Sequence, residues 1–408
     1  MKILHIAPHL GGGVGKAHAA ISAALPKEAV QQTFLLLEQP QNRRYVEMIE
    51  GEGARVVVAE SLDQVAGLAG EADVVQFEFW NHPRLFECLA RCDFRPMRSV
   101  FWSHISGLFR PLIPPGLIHE SARFVFTTEA SRSIPYLAQT ASRKSAIINS
   151  GFGFANVSPR ARRRDTRPVI AYLGTVDFVK MHPGFFEAID RLEGDDISVA
   201  VWGRDDPSSA VAAKARAMQH PERVIFMGET DAPAIGLANA DIFFYPLQPD
   251  HYGTAENALV EAMSLGLVPV VLNNPAEMAI VRDGQTGFVA NSVEDCTSIL
   301  DMLLSSPDLR ERVGQNAARH VAETRTAAHS VQEFMVLWLG LLAEEPRHCD
   351  FRGAVGETPA DWFLATQRLP GAEWKWSARQ DAENAAKGTL AHFESVFAGD
   401  ASLLRLRA

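Results

Sequence analysis

The sequence predicts an α/β protein made of two doubly wound parallel sheets. Three observations carry that expectation. Short apolar, β-branched runs alternate with segments of helical length between residues 2 and 148. The alternation stops in a basic, proline-containing stretch at about 151–168. It then restarts at Val169. Strands buried on both faces, joined by helical crossovers, give this texture.

The elements follow in order. Lys2 to Ala7 is the first strand, followed by a Gly-rich turn and an Ala-rich helix from Ala17 to Leu25. Strand-like runs recur at Phe34–Leu37, Val56–Val58, Val74–Val75, Val100–Trp102, Phe124–Phe126 and Ala146–Ile148. Segments of helical period lie between them, as at Ser61 to Leu68. Gly151-Phe152-Gly153, Pro159 and Arg160-Ala161-Arg162-Arg163-Arg164-Asp165 read as a domain linker. Beyond it, strands are expected at Val169–Leu173, Ser198–Trp202, Val224–Met227, Ile242–Tyr245 and Val268–Leu272. Helices are expected at Gly184–Leu192, Ser208–Met218, Ala232–Ala238, Thr254–Leu265 and Val293–Leu304. Residues 306–343 are helical throughout by their Leu, Val and Phe spacing. The tail holds Trp362, Trp374 and Trp376, and a Trp-rich tail is expected to dock. The expected boundaries are 1–165 and 166–345 for the two α/β domains and 346–408 for the helical tail.

Composition bounds the function. Of 408 residues, 47% are hydrophobic and 22% charged, as in an ordinary globular protein. Four cysteines cannot form a disulfide framework, and Cys88 and Cys92 lack zinc-ligand spacing. Reduced thiols fit the cytoplasm. The opening apolar run is too short for a secretory signal. No run reaches the ~18 apolar residues of a membrane span. A net charge of -10 argues against generic nucleic-acid binding. Residues 1–168, however, hold 20 Lys+Arg against 15 Asp+Glu, and the remainder holds 19 against 34. The excess is either a solvated surface with one linker cluster or a basic face for an anionic acceptor or membrane lipid.

Two segments carry chemistry. Leu10-Gly11-Gly12-Gly13-Val14-Gly15-Lys16-Ala17 lies between the first strand and helix. Glycines there let backbone approach a ligand, and helix N-terminal amides favour an anion. Leu10 and Ala17 break the P-loop pattern, and a dinucleotide fingerprint is missing. A tight turn is the plain alternative for Gly12 and Gly13. The second segment runs from Tyr245 to Gly266. Gly253-Thr254 can cap a helix whose free amides face the carboxyl end of the preceding strand. Glu261 sits among Ala258, Leu259, Val260, Ala262 and Met263, where a carboxylate is costly unless hydrogen-bonded. A pair of ligand hydroxyls or neighbouring backbone would satisfy it.

This helix, with Gly266-Leu267-Val268-Pro269-Val270-Val271, Asn274-Pro275-Ala276-Glu277-Met278 and Asp283-Gly284-Gln285-Thr286-Gly287-Phe288-Val289, resembles the nucleotide-sugar domain of retaining GT-B glycosyltransferases. That is the large glycosyltransferase group 1 family that includes sucrose-phosphate synthases and bacterial lipid mannosyltransferases. The resemblance covers roughly residues 1–340 and is strongest over 240–290. It implies two Rossmann-like domains facing across a cleft, acceptor domain first and donor domain second. It implies that Glu261 binds the donor ribose. The family's first Glu falls at Gly253, with Glu256 three residues later as its replacement. Backbone at Gly253, Thr254 and Ala255 would face the diphosphate. Lys180, in Ala171-Tyr172-Leu173-Gly174-Thr175 through Lys180-Met181-His182-Pro183, matches the diphosphate Lys. Thr175 replaces the family's Arg, and Arg204 after Gly203 is a candidate substitute. Gly174 and Gly203 stand beside the nucleotide. In the first domain, Phe101-Trp102-Ser103-His104 resembles the strand ending in a His near the transferred sugar. Gly12 and Gly13 resemble the loop beneath the donor phosphates, while His82 reads as a helix-start residue.

The implied activity is transfer from a UDP or GDP sugar with retention, in polysaccharide or glycoconjugate synthesis. No metal or other cofactor is expected, since a D-x-D motif is missing. The implied acceptor is a glycan, a lipid-linked sugar or a small molecule, with a homodimer allowed. The implied location is the cytoplasm, up to the inner membrane face. Two other readings stay open. One is a non-hydrolysing nucleotide-sugar epimerase, and the other is a catalytically silent sugar-nucleotide-binding protein.

Overall fold

The computed structural model describes residues 1–137, 144–151, 167–194, 196–230, 232–251, 253, 257–369, 371–375 and 388–407. The expected linker cluster at Arg160–Asp165 lies outside them. So do the site candidates Thr254, Ala255 and Glu256.

The chain forms two compact units. The first combines Met1–Gly151 and Ala327–Ala408 with Gly253 from between them. Its sheet holds β1 (Lys2–Ala7), β2 (Gln31–Leu36), β3 (Arg55–Val58), β4 (Val74–Phe79), β5 (Ser99–Ser103), β6 (Arg123–Phe126) and β7 (Ser145–Ile147). The spatial order is β3-β2-β1-β4-β5-β6-β7, with every pairing parallel. The second unit contains β8 (Val169–Leu173), β9 (Ser198–Trp202), β10 (Val224–Gly228), β11 (Ile242–Tyr245), β12 (Val268–Leu272) and β13 (Phe288–Ala290). Their order is β10-β9-β8-β11-β12-β13, again parallel. Both sheets are doubly wound, as the sequence predicts. β13 is an addition, because three residues after a turn leave little periodic signal.

The two faces of the first sheet differ. Phe77, Phe101 and Phe124 stand side by side on β4, β5 and β6. Phe77 and Phe101 stack at 4.7 Å, and Phe351 from the tail caps both rings edge-on at 5.5 and 5.4 Å. The next residues along, Gln76, Glu78 and Trp102, point to the opposite face by the two-residue period of a strand. That face is also buried but is partly polar.

Two boundaries move. The first helix spans Gly12–Ala24, so it begins five residues before Ala17 and takes the glycines into its first turn. Gly11 caps it without a side-chain bond. A Cβ on Gly15 would lie 2.1 Å from the Leu10 carbonyl oxygen, so only glycine lets strand and helix meet there. Residues 306–343 form two helices, Pro307–Thr324 and Ala327–Leu342. The second packs on the first unit, away from the sequence boundary at 345. Its Trp338 is fully buried and donates through Nε1 to Gln76 Oε1 at 3.1 Å. Its Phe334 packs edge-on against Trp102 at 4.9 Å. Helical period shows that a helix has an apolar stripe, and the partner of that stripe is a tertiary matter.

The described part of the tail docks as expected, and Trp376 lies outside the described residues. Trp362 is fully buried in the helix Pro359–Gln367, which a Thr358–Asp361 capping box starts. Arg91 lies over its ring at 5.2 Å. Among the described residues, no helix is long and apolar enough to cross a membrane.

Truncating Trp338 to Ala removes a fully buried ring from the first unit's core. It should lower unfolding free energy by about 3–5 kcal/mol, read by urea denaturation. An unchanged midpoint would show that the helix Ala327–Leu342 is not part of that core.

Candidate functional site

In a doubly wound sheet, loops leaving the carboxyl ends of strands at the point of winding reversal open a crevice. In the second unit that point lies between β8 and β11. Lys180 is in the loop after β8, and Leu247 and Gln248 are in the stretch after β11, whereas Gly253, farther along, groups with the first unit. The loops are laced together. Met181 bridges to Leu247, His182 donates its amide to Pro246 at 2.9 Å, and Gln248 donates to the Lys180 carbonyl at 2.8 Å. The Lys180 ammonium lies 5.6 Å from the Tyr245 ring centre. Its half-buried position is thus built by backbone bonds and a cation–π contact.

Gly174 and Gly203 end β8 and β9. The Gly174 amide donates to Trp202 O, and the Gly203 amide to Gly228 O, each at 3.0 Å. A Cβ on Gly203 would come within 2.1 Å of the Gly174 carbonyl oxygen, so this close approach demands glycine. Arg204 follows on an exposed turn. Glu261 lies on the helix Asn257–Ser264 and is only 3% exposed, a buried carboxylate as its apolar surroundings predict. The structure also pairs His251 with Glu277 at 2.9 Å, both buried. Sequence spacing gave no signal for that pair. A cavity of about 260 Å³ beside the helix Ala210–Arg216 is lined in part by Val176, Asp205, Asp206, Ser209 and Phe226.

The first unit holds a network that the sequence reading missed. Glu78, on β4, is fully buried. His5 Nδ1 donates to its Oε1 at 3.0 Å, as does Gln76 Nε2 at 3.0 Å. His104 Nε2 donates to Oε2 at 3.0 Å, and His18 Nε2 lies 2.9 Å from the same oxygen. Burial opposes a charge on Glu78. His18 and the hydrogen bonds from His104, His18 and His5 outweigh it and hold the carboxyl well below its usual range. Burial lowers His5 and His104, against the opposing pull of Glu78. His104 therefore favours the neutral ring, with its proton on Nε2 and its lone pair on Nδ1. A signal was available, since Val74-Val75-Gln76-Phe77-Glu78-Phe79 alternates in a strand that the topology places centrally.

A second cluster sits nearby at the carboxyl ends of β1, β2 and β4. His9 Nε2 and His82 Nε2 lie 4.0 and 3.5 Å from Glu38 Oε1. His82 caps the helix Pro83–Arg91 by accepting the Arg84 amide, so the helix-start expectation holds. Both His groups have metal-like closeness. Their tautomers, however, suit hydrogen bonding. His5 donates through Nδ1 to Glu78 and meets Gln32 Nε2 through Nε2, while Gln32 Oε1 accepts from Ser22. His9 Nδ1 and His82 Nδ1 each accept a backbone amide, which puts the neutral ring's proton on Nε2, facing Glu38. A metal ligand needs its lone pair on the nitrogen that faces the ion.

Gly12 and Gly13 are exposed at the uncapped N-terminus of the first helix, with Gly12 at φ +60°. The basic excess of residues 1–168 lies almost wholly in 152–168, which hold 5 Lys+Arg against 1 Asp+Glu, while residues 1–151 hold 15 against 14. With 327–408 the first unit holds 23 against 25, and the arginine cluster lies outside the described residues.

Residues 155–320 match the family model for glycosyl transferases group 1. No curated protein sequence matches the chain. Solved structures similar in fold include a glycosyltransferase from Rickettsia africae, with TM-score 0.67 at 13% identity, covering 84% of this chain and 99% of that one. The Anabaena protein HepE in complex with UDP gives 0.67 at 17% identity, with coverage of 83% and 100%. Sucrose-phosphate synthase from Thermosynechococcus elongatus gives 0.63 at 15% identity, with coverage of 84% and 99%. The fold is thus the GT-B fold.

The Glu78 network sets an acid sensitivity. His5 and His104 titrate below 6.5 in the folded chain, and Glu78 below 4.5. The unfolded chain therefore binds more protons as pH falls through these values. The stability they contribute is complete above pH 6.5 and is lost progressively below it. A thermal-unfolding series should show the first unit's Tm falling below pH 6.5, and again below 4.5. Glu78→Ala, which strands three imidazoles, should cost about 3–5 kcal/mol at neutral pH.

Proposed function

We propose, from the match of residues 155–320 to the family model for glycosyl transferases group 1, that this protein transfers a sugar from a UDP or GDP sugar to an acceptor hydroxyl with retention of configuration. The observation that carries the reading is the placement of Lys180 at the second sheet's winding reversal, where its carbonyl accepts from Gln248 of the stretch after β11. That is where an α/β sheet presents a crevice to a ligand.

In this reading the bond between the anomeric carbon and the diphosphate oxygen breaks. The acceptor oxygen forms the new bond on the same face, and its proton goes to the departing phosphate oxygen. The transition state is oxocarbenium-like, with negative charge growing on the diphosphate. Lys180 and the backbone of Gly253, Thr254 and Ala255 stabilise that charge. Glu261 accepts from the ribose hydroxyls, which supports a carboxylate in so apolar a helix. Gly174 and Gly203 leave room for the nucleotide backbone. The cavity with Asp205 and Asp206 suits a neutral base better than a phosphate. Arg204 and Glu256 act as the substitutes for the family residues missing at Thr175 and Gly253. His104, neutral and oriented by Glu78, serves the transferred sugar as a hydrogen-bond acceptor through Nδ1. Gly12 and Gly13 serve the donor phosphates through first-turn amides. No side-chain nucleophile and no metal is required.

Lys180→Ala should cost about 3 kcal/mol of transition-state stabilisation, roughly a hundredfold in kcat. Donor turnover close to that of the wild type would remove Lys180 from the reaction. Glu261→Ala should instead weaken UDP or GDP binding in calorimetry. Unchanged nucleotide affinity would reject its ribose role.

A further inference from the structure

A transferase donor carries a base, and the bond-breaking step is indifferent to which one. The second unit holds groups that discriminate. β8, β9 and β10 lie side by side, and each runs into a glycine, at Gly174, Gly203 and Gly228. The Gly203 amide joins the last two by donating to the Gly228 carbonyl. Gly228 takes φ +73°, a conformation that favours glycine. Three strand ends thus form a floor bare of side chains. It runs outward from the winding reversal where Lys180 stands. A nucleotide held there by its diphosphate lays its base toward β9 and β10. Beside the floor is the cavity of about 260 Å³. Ala212 and Ala215 of the helix Ala210–Arg216 line it, with Val224 and Phe226 of β10. Such small residues leave a gap between helix and sheet, where Val224 and Phe226 are only half-buried.

Asp205, on the loop after β9, also lines this cavity. Its Oδ1 lies 3.9 Å from the point where a Gly228 Cβ would stand, so the carboxylate reaches over the end of β10. The loop around it is fixed. Asp206 Oδ1 accepts the Ser208 amide at 2.8 Å and the Ser208 hydroxyl at 2.7 Å. Arg216 Nη1 donates to the Pro207 carbonyl at 3.0 Å. Asp205 itself has no hydrogen bond or ion pair among the described residues. An apolar slot therefore has one unengaged carboxylate at its mouth, on a loop that its neighbours hold in place.

We propose that Asp205 reads the base of the donor and selects guanine, so that the donor is a GDP sugar. The word donor rests on the transferase reading above. An ionised carboxylate only accepts hydrogen bonds, and it accepts best from two parallel N–H groups. Guanine offers that pair on one edge, the ring N1–H beside the exocyclic N2 amine. Uracil has one N3–H between two carbonyl oxygens, and a carboxylate repels both. Adenine and cytosine each set an amine beside a bare ring nitrogen, which repels the second carboxylate oxygen. The guanine ring packs against Val176 and Phe226, and its N1–H and N2 amine donate to Asp205. The bare floor at Gly203 and Gly228 lets the flat base approach the strand ends.

The test is calorimetry on the full chain with GDP, UDP, ADP and inosine diphosphate, which is GDP without the N2 amine. GDP should bind about tenfold more tightly than each of the other three, or better. Asp205→Ala should weaken GDP about tenfold and make GDP and inosine diphosphate bind alike. Asp205 is exposed, so the variant should fold, and thermal unfolding checks that it does. The proposal is overturned if UDP or ADP binds as tightly as GDP. It is equally overturned if the folded variant keeps the wild-type preference for GDP over inosine diphosphate. Binding of UDP or ADP in place of GDP would sink this proposal and leave the transferase reading standing. Binding of none of the four would sink both.

Discussion

The first unit depends on a single buried carboxylate. Glu78 sits in the middle of a parallel sheet, out of reach of water, where an ionised group is expensive. Its surroundings offset that expense with groups from several elements. His5 comes from β1, His18 from the first helix, Gln76 from β4 itself and His104 from the end of β5. Each is therefore held in position by the same pair of oxygens. The helix Ala327–Leu342 joins through Trp338 and Gln76, so the returning chain is registered against the network too. A polar core of this kind has few alternative arrangements, because any slip strands a charge.

Both sheets place their chemistry at equivalent points. In each, the strand order reverses beside the first strand of the unit, and the candidate side chains leave on the carboxyl side. Lys180 leaves beside the reversal in one sheet, and His9 and His82 flank it in the other. Glycine marks the tight places. Gly15 lets a helix approach a strand end, and Gly203 lets two strand ends touch. The two units thus solve the same packing problem and arm it differently, with a lysine and buried glutamates in one and a histidine-rich edge in the other.

Much of this was legible in the sequence. Val169–Leu173, Ser198–Trp202, Ile242–Tyr245 and Val268–Leu272 are strands at the residues their apolar runs mark. Such runs are legible because both sheet faces are buried, so nothing interrupts them. The burial of Glu261 and the docking of the Trp-rich tail followed from the cost of leaving those groups otherwise. The partnership of Glu78 with three histidines was not legible. Its members are spread from His5 to His104; His104 stood out only through its resemblance to a family residue, and nothing joined it to His5, His18 or Glu78. His251 and Glu277 were both in view, but nothing in their spacing joins them.

By itself the sequence determined the alternation of strand and helix, the doubly wound class and the positions where glycine or a buried carboxylate would be needed. These follow from local sterics and from the period of apolar residues, which act within a few residues of chain. Only the tertiary structure decided where the last eighty or so residues go. They return to the first unit and complete its core with Trp338 and Trp362. The reason is that an apolar stripe or a charge specifies the kind of partner it needs and not its address. The address is set by which surface, after the sheets have closed, still has that partner to offer.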